Sequence, residues 1–158
     1  MDWKVMDDPA NIENRNGGNG GDLVKHTVYL ATLRFLLARE PWRNGLLVRE
    51  CHAGRGVYRI PDGDMRAHLL GCLYTNPFGD LILLQESQRQ ILGALGCWTS
   101  ETEALRWYAG SALINASTLA ANHDNLHRLD LYEWLPETRR SLHRATDQWM
   151  GPAEPHLA

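Results

Sequence analysis

The sequence has few cysteines, no long apolar run and no excess of positive charge. Its three cysteines, Cys51, Cys72 and Cys97, are widely spaced without a C-x-x-C pair, so neither a zinc site nor a redox motif is indicated. Reduced thiols are typical of a cytosolic protein. The apolar stretches are too short to cross a bilayer, and the first eight residues lack the apolar run of a signal peptide. We therefore expect a soluble, cytoplasmic protein with no membrane partner and no metal site.

The charge balance also narrows the function classes. The 158 residues carry 16 Lys and Arg against 19 Asp and Glu, a net charge of -3. A protein that coats a nucleic-acid duplex is usually basic, so this class has no electrostatic support, although a local basic face stays open. With 44% hydrophobic and 22% charged residues, the chain has the composition of one globular domain with its own core.

Glycine is concentrated near the N-terminus, in the run N-G-G-N-G-G over residues 16–21. Glycine costs about 1 kcal/mol in a helix interior, so neither helix nor strand is expected there. Asp22 follows at a position typical of an N-cap, and apolar residues at helical spacing predict a helix from there to about residue 40. The chain thus divides into an N-terminal arm with a Gly-rich loop, residues 1–21, and one domain, residues 22–158.

Two short strands are predicted, each ending in an acidic residue. The first ends at Glu50 and runs directly into the glycine turn C-H-A-G-R-G, and the second ends at Glu133. Helical patterns cover an insert at about 64–107, a segment after the small-residue turn at 109–112, and a last segment from Pro136. Helices alternating with strands predict an α/β domain with a parallel sheet, of which two strands are only a part.

The acidic strand ends and the glycine turn form the candidate site. In an open α/β sheet, ligands bind beyond the carboxyl ends of the strands, so Glu50, the Gly54–Gly56 turn and Glu133 are expected to lie together. Glycines let the backbone approach a ligand, and an acid can accept hydrogen bonds from a ribose diol. The spacing A-G-x-G matches neither G-x-G-x-x-G nor a Walker motif, which favours an adenosyl cofactor without a pyrophosphate. On these residues alone, a tight turn beside solvated acids is an equal alternative.

Four segments resemble, in the same order, those of the RlmJ family of bacterial large-subunit ribosomal RNA adenine-N6 methyltransferases. They are Gly18-Asn19-Gly20-Gly21-Asp22-Leu-Val-Lys25-His26, Leu47-Val-Arg-Glu50-Cys-His52-Ala53-Gly54-Arg-Gly56-Val-Tyr58, Trp107-Tyr108-Ala109-Gly110-Ser111-Ala112-Leu113 and Leu131-Tyr-Glu133. The family's patterns are G-N-x-A-D-[VL]-[LV]-K-H, L-x-x-D-x-H-A-G-x-G-x-Y, Y-x-G-S-P-L and L-x-E. The resemblance implies a partial Rossmann-like S-adenosylmethionine-dependent methyltransferase fold with a helical insertion after the first strand.

The resemblance also implies S-adenosylmethionine as the cofactor and adenine N6 of ribosomal RNA as the substrate. The target base would be flipped out or unpaired before reaction, and no metal would be needed. The implied cofactor contacts come from all four segments: Lys25, His26 and Ser111 toward the methionine end, Glu50, His52, Gly54 and Gly56 in the first cofactor loop, and Glu133 at the ribose hydroxyls.

Plain structural roles compete with these assignments. Lys25 can be a solvated surface lysine, His52 can cap its loop, and Ser111 can be the N-cap of the following helix. For Glu133 and the Gly54–Gly56 turn, function is favoured. The aromatic residues Trp107, Tyr108 and Trp134 are expected to serve core or rim packing.

The sequence departs from the family pattern in one chemically important respect. N6-adenine methyltransferases use a [DN]-P-P-[YF] motif after a later strand, and no such motif follows Glu133. The N-P-F of residues 76–78 lies in the predicted helical insert. Smaller departures are Glu50 for aspartate, Asn16 for histidine and Ala112 for proline. No catalytic residue is therefore identified, and the chain is expected to bind the cofactor without turnover.

Three interpretations of the whole chain follow. In the first, it is the N-terminal portion of a ribosomal RNA methyltransferase, truncated or split, whose exposed sheet edge dimerises or recruits a complementing C-terminal half. In the second, it is a degenerate, non-catalytic homologue that serves as a binding or interaction module. In the third, it is an unrelated small α/β nucleotide-binding protein.

Overall fold

The computed structural model describes residues 17–39, 45–122 and 127–150. Residues 1–16 of the predicted arm and Gly-rich loop, 1–21, lie outside these described residues. Within them the chain forms a mixed α/β fold of six helices and four strands: α1 (Gly20–Leu37), β1 (Leu47–Glu50), β2 (Val57–Arg59), α2 (Met65–Thr75), α3 (Leu81–Ala94), α4 (Glu101–Ala104), β3 (Trp107–Ala109), α5 (Ser111–Ala120), β4 (Arg128–Leu131) and α6 (Pro136–Met150).

The two predicted strands, β1 and β4, pair in parallel as expected. Leu47 lies opposite Arg128, and Glu50 lies opposite Leu131. The Tyr132 N–H extends this ladder by donating to the Glu50 carbonyl at 2.9 Å. Both acidic strand ends therefore come to the same edge of the sheet, where an open α/β fold binds its ligands.

A second, antiparallel pair, β2 with β3, is absent from the sequence prediction. Val57 lies opposite Ala109, and the Gly110 N–H continues the ladder to the Gly56 carbonyl at 2.7 Å. The insert predicted at about 64–107 is mainly helical, with α2, α3 and α4, and β3 begins at its last residue. Strands of three residues are too short to show a period of two, and their stability comes from pairing between distant parts of the chain.

The start of α1 also differs from the prediction. Gly20 and its neighbour Gly21 are helical, and the N-cap is Asn19 rather than Asp22. The Asn19 Oδ1 accepts the Asp22 N–H at 3.0 Å, and the Asp22 carboxylate accepts the Gly18 N–H at 3.0 Å. This reciprocal capping satisfies two backbone donors and offsets the poor helix propensity of the glycines.

The helical insert and the β2–β3 pair contribute to the same large core cluster, which also contains Tyr108. Leu70 of α2 and Leu84 of α3 pack with Tyr108 in this cluster, and all three are fully buried. The buried Gln88 side chain donates to the Ala109 carbonyl at 2.7 Å and accepts the Ala109 N–H at 2.8 Å, which fixes α3 to β3. In this described part of the chain, no helix combines the length and the apolar character that a bilayer crossing requires.

Candidate functional site

A cavity of about 460 Å³ lies where the carboxyl ends of β1 and β4 meet the N-termini of α1 and α5. This volume is within the usual range for small-molecule sites. Six of the eight residues predicted as cofactor contacts line it: Lys25, His26, His52, Gly54, Ser111 and Glu133. Residues from all four matched segments thus line one cavity, although they are far apart along the chain.

The other two predicted contacts, Glu50 and Gly56, lie behind the cavity wall. The Glu50 carboxylate accepts hydrogen bonds from the Ser111 hydroxyl and, at 3.0 Å, from the Asn115 amide. The Gly56 carbonyl accepts the Gly110 N–H, and its φ of +83° is one that favours glycine. Both residues therefore hold the N-terminal end of α5 in position.

Glu50 belongs to a half-buried polar network. Tyr29 donates to the Asn115 side-chain oxygen at 2.5 Å, and Asn115 in turn donates to Glu50. Burial raises the pKa of Glu50, while the hydrogen bonds from Ser111 and Asn115 partly counter this rise. The folded protein therefore binds the Glu50 proton more tightly than the unfolded chain does, and a charged Glu50 costs stability at neutral pH.

Replacing Glu50 with glutamine is expected to raise the free energy of unfolding at pH 7.5 and to have a smaller effect at pH 4. A raised carboxyl pKa contributes stability below the unfolded pKa and loses it as the pH rises through the folded value. Glutamine keeps the size and one of the two acceptor oxygens without the charge, and its amide NH2 can donate to the Ser111 hydroxyl oxygen. Urea unfolding at both pH values measures this, with the exposed Glu86→Gln as the matched control. A Glu50→Gln effect that does not vary with pH would contradict the assigned burial cost.

Glu133 follows β4 and is 8% exposed. One carboxylate oxygen accepts the Gly54 N–H at 3.0 Å, and the other accepts the Leu135 N–H at 2.9 Å. A carboxylate has about four acceptor sites, so each oxygen keeps capacity for a further donor from the cavity. Glu133 thus fixes the glycine turn and presents a carboxylate to a ligand at the same time.

His26 and Tyr108 form a buried pair in the cavity wall. The His26 Nδ1 and the Tyr108 hydroxyl are hydrogen-bonded at 2.7 Å, and the two rings lie almost parallel. Among the described residues, the buried His26 Nε2 has no hydrogen-bond partner. Burial, and then the neighbouring Lys25, lower the His26 pKa to about 4, so the imidazole is neutral at pH 7. An unsatisfied buried polar atom is costly, and a ligand contact would remove that cost.

Lys25 and Asp22 bring opposite charges to the α1 end of the cavity. The Lys25 ammonium lies 3.0 Å from an Asp22 carboxylate oxygen, and the lysine side chain is 63% exposed. Ion pairs this exposed contribute little to stability. The ammonium can therefore turn toward an anionic ligand group at small cost.

Several cavity residues were missed at the level of sequence. Tyr58 is the last residue of one matched segment, and Trp134 directly follows another. Their position next to predicted cofactor contacts is the sequence feature that could have indicated them. The expectation of packing alone for Tyr108 is incomplete, since its hydroxyl reaches the wall beside His26. Trp134 is 87% exposed at the cavity rim. The remaining unpredicted lining residues are Gly17, Asn19, Asp22, Cys51, Gly110 and Leu135.

Comparison with known proteins gives one informative likeness. No protein-family model matches the sequence, and no curated protein matches it. The fold is similar to the crystal structure of protein LPL1258 from Legionella pneumophila str. Philadelphia 1, family-model DUF519, with a TM-score of 0.59 and 22% identity. The match covers 80% of this chain and 43% of that chain, so this chain spans less than half the length of the Legionella protein. At this identity, the likeness establishes a similar fold and not a shared function.

Proposed function

We propose that this chain binds S-adenosylmethionine in the cavity between β1, β4, α1 and α5, as the cofactor-binding part of a Rossmann-like methyltransferase of the RlmJ type. One observation carries the proposal. Six residues assigned to the cofactor by resemblance come from four separate segments and line a single cavity. A chance resemblance gives no reason for those four segments to converge.

The polar groups of the cavity suit the separate parts of this cofactor. The Glu133 carboxylate suits a ribose diol, and the exposed Lys25 ammonium suits a carboxylate. Ser111 lies at the N-terminal end of α5, where backbone donors also favour an anion. A neutral His26 adds no positive charge to oppose a sulfonium. When bound, S-adenosylmethionine would supply a transferable methyl group, and these residues would bind and orient it.

The substrate part of the proposal rests on the resemblance, which points to adenine N6 in large-subunit ribosomal RNA. The sequence has no [DN]-P-P-[YF] motif after Glu133, so the residues that would hold the adenine amine come from elsewhere. The proposal therefore assigns cofactor binding to this chain and leaves methyl transfer to an assembly that contains the missing motif.

The free edge of β1 supports a complementing partner. The carbonyls of Leu46 and Glu50 accept hydrogen bonds from the β4 side. In a parallel pair, alternate residues point their backbone groups the other way, so those of Leu47 and Arg49 face the opposite edge. Among the described residues that edge has no strand neighbour, and the Leu47 side chain is 48% exposed. A C-terminal half, or a second copy of the chain, would add its strand here.

Calorimetric titration of the purified chain with S-adenosylmethionine and S-adenosylhomocysteine is expected to show saturable binding at one site. ATP and NAD are expected to bind at least about tenfold more weakly, because the A-G-x-G turn lacks the pattern that holds a pyrophosphate. With labelled cofactor and ribosomal RNA, the chain alone is expected to transfer no methyl group.

Three other results of these experiments would contradict the proposal in whole or in part. A folded chain that binds neither adenosyl ligand contradicts the cofactor proposal and favours a degenerate interaction module. Tighter binding of ATP or NAD favours a small nucleotide-binding protein. Methyl transfer by the chain alone would show that the missing motif is not required.

A further inference from the structure

The ring of Tyr58, in β2, lies among three glycines that belong to three different loops. A Cβ built on Gly17 would lie 2.3 Å from the ring, and one on Gly110 would lie 2.8 Å from it. A Cβ on Gly54 would lie 2.1 Å from the Tyr58 hydroxyl oxygen. Real Cβ atoms do not approach other heavy atoms this closely, so the Gly17 and Gly110 loops meet the ring at a distance that only glycine allows, while the Gly54 loop meets the terminal hydroxyl. All four residues line the cavity.

Backbone conformation does not explain the glycine at Gly110. Its φ of -78° and ψ of 178° are extended values that any residue adopts. Gly54 has a φ of +64°, which favours glycine on its own account. At Gly110 the requirement therefore comes from the Tyr58 ring alone, which makes this position a direct probe of the contact.

The Tyr58 side chain is partly buried and packs against the main core cluster. Tyr58 lies opposite Tyr108 in the β2–β3 pair, and Tyr108 is fully buried. On another side of this assembly, the buried Arg66 of α2 donates to the Gly17 carbonyl at 2.9 Å. The first loop is thus held between a fixed ring and a fixed guanidinium.

We propose that Tyr58 is the positioning residue of the cavity, the spacer against which its three glycine loops close. The ring sets the separation between the Gly17 segment that leads into α1, the Gly54 turn held by Glu133, and the Gly110 turn that begins α5. The inference rests on the proposed function for the identity of the ligand, although the loop geometry is independent of it. Without the ring, the groups on these loops move relative to one another, and a displacement of about 1 Å can cost about a hundredfold in function.

Tyr58→Leu tests the spacer by two separate measurements on the full chain. Amide hydrogen exchange without ligand is expected to quicken in peptides covering residues 17–19, 51–56 and 108–111. Calorimetry with S-adenosylhomocysteine is expected to show at least about tenfold weaker binding. Tyr58→Phe keeps the ring against Gly17 and Gly110 and removes the hydroxyl against Gly54, so we expect exchange to quicken only in residues 51–56 and the affinity to fall less than in Tyr58→Leu. Trp98→Leu removes a half-buried aromatic residue that packs on the main core away from the cavity, and it controls for general destabilisation.

Gly110→Ala adds an independent variant with a small volume change. Its methyl group would strike the ring, so the affinity is expected to fall about tenfold in the wild-type background and hardly further in the Tyr58→Leu background. If the wild type binds no adenosyl ligand, the function proposal fails while the exchange comparison still decides the spacer. Unchanged loop exchange in a folded Tyr58→Leu variant would overturn the spacer. Equal loss of affinity in Tyr58→Phe and Tyr58→Leu would also overturn it, because the hydroxyl would then be the important group.

Discussion

Replacing Glu133 with alanine is expected to reduce the affinity for S-adenosylhomocysteine by about a hundredfold or more. Hydrogen bonds to a charged group contribute about 1.5–3 kcal/mol each, so losing a ribose diol from this carboxylate corresponds to about 3 kcal/mol. The Gly54 and Leu135 N–H groups donate to this carboxylate, and the substitution leaves both without that acceptor. The ribose contact and the shape of the glycine turn are therefore lost together.

Glu133→Gln separates these two contributions. Glutamine keeps the size and one acceptor oxygen, so the turn is largely preserved while the charge and part of the acceptor capacity are removed. We expect its affinity to lie between those of the wild type and Glu133→Ala. Calorimetry on variants shown to be folded by circular dichroism measures this.

The nearby, exposed Glu137→Ala is the matched control, since it removes a carboxylate that does not line the cavity. Wild-type affinity in Glu133→Ala would mean that the carboxylate only shapes its turn.

The parts of the fold that the sequence predicts are those with strong local signals. Apolar spacing over many residues locates α1, which ends close to its predicted limit near residue 40, and the helical insert that contains α3, while Pro136 marks the start of α6. The pairing of β1 with β4 follows because each strand is a short run that ends in an acid, with helices between them. These features need no knowledge of distant contacts.

The missed elements depend on contacts between distant residues. The pairing of Val57 with Ala109 joins segments about 50 residues apart, and neither three-residue strand has a sequence pattern of its own that would predict it. The start of α1 depends on the reciprocal caps of Asn19 and Asp22, which compensate for two glycines that local propensity counts against a helix.

The candidate site shows the same division. The resemblance predicts Lys25, His26 and Ser111 as site residues from their positions in the motifs, and all three line the cavity. It does not say which way the Glu50 side chain points. Alternate residues of a strand face opposite sides of the sheet, and the register of β1 turns Glu50 toward Ser111 on α5. The direction of the Glu50 side chain depends on strand register and cannot be read from the motif alone.

The buried His26 is expected to make the unfolding free energy depend strongly on pH between about 4 and 6.5. Its pKa falls from 6.5 to about 4 on folding, with burial as the larger cause and the Lys25 charge as the next, while Asp22 opposes them. A lowered histidine pKa means that the unfolded chain binds the proton more tightly. The stability contribution is therefore complete above pH 6.5 and is lost as the pH falls toward 4, by about 3 kcal/mol when fully realised.

The test compares His26→Gln with the wild type by urea unfolding at several pH values from 4 to 7.5. Glutamine cannot titrate in this range, so the stability advantage of the wild type over the variant is expected to shrink as the pH falls. The difference is the informative quantity, because Glu50 titrates in the opposite sense and flattens the wild-type curve. His68→Gln is the control, since its side chain is exposed on α2.

Ligand binding connects this pH dependence to the cavity. If ligand binding gives the buried Nε2 of His26 a partner, S-adenosylhomocysteine is expected to protect the wild type more than His26→Gln at pH 7, measured as the rise in Tm at saturating ligand. The pH dependence of the stability and the protection by ligand would then both depend on the same buried imidazole. A stability difference that stays constant from pH 7.5 to 4 would contradict the lowered pKa. Equal protection of both proteins would place the ligand away from His26.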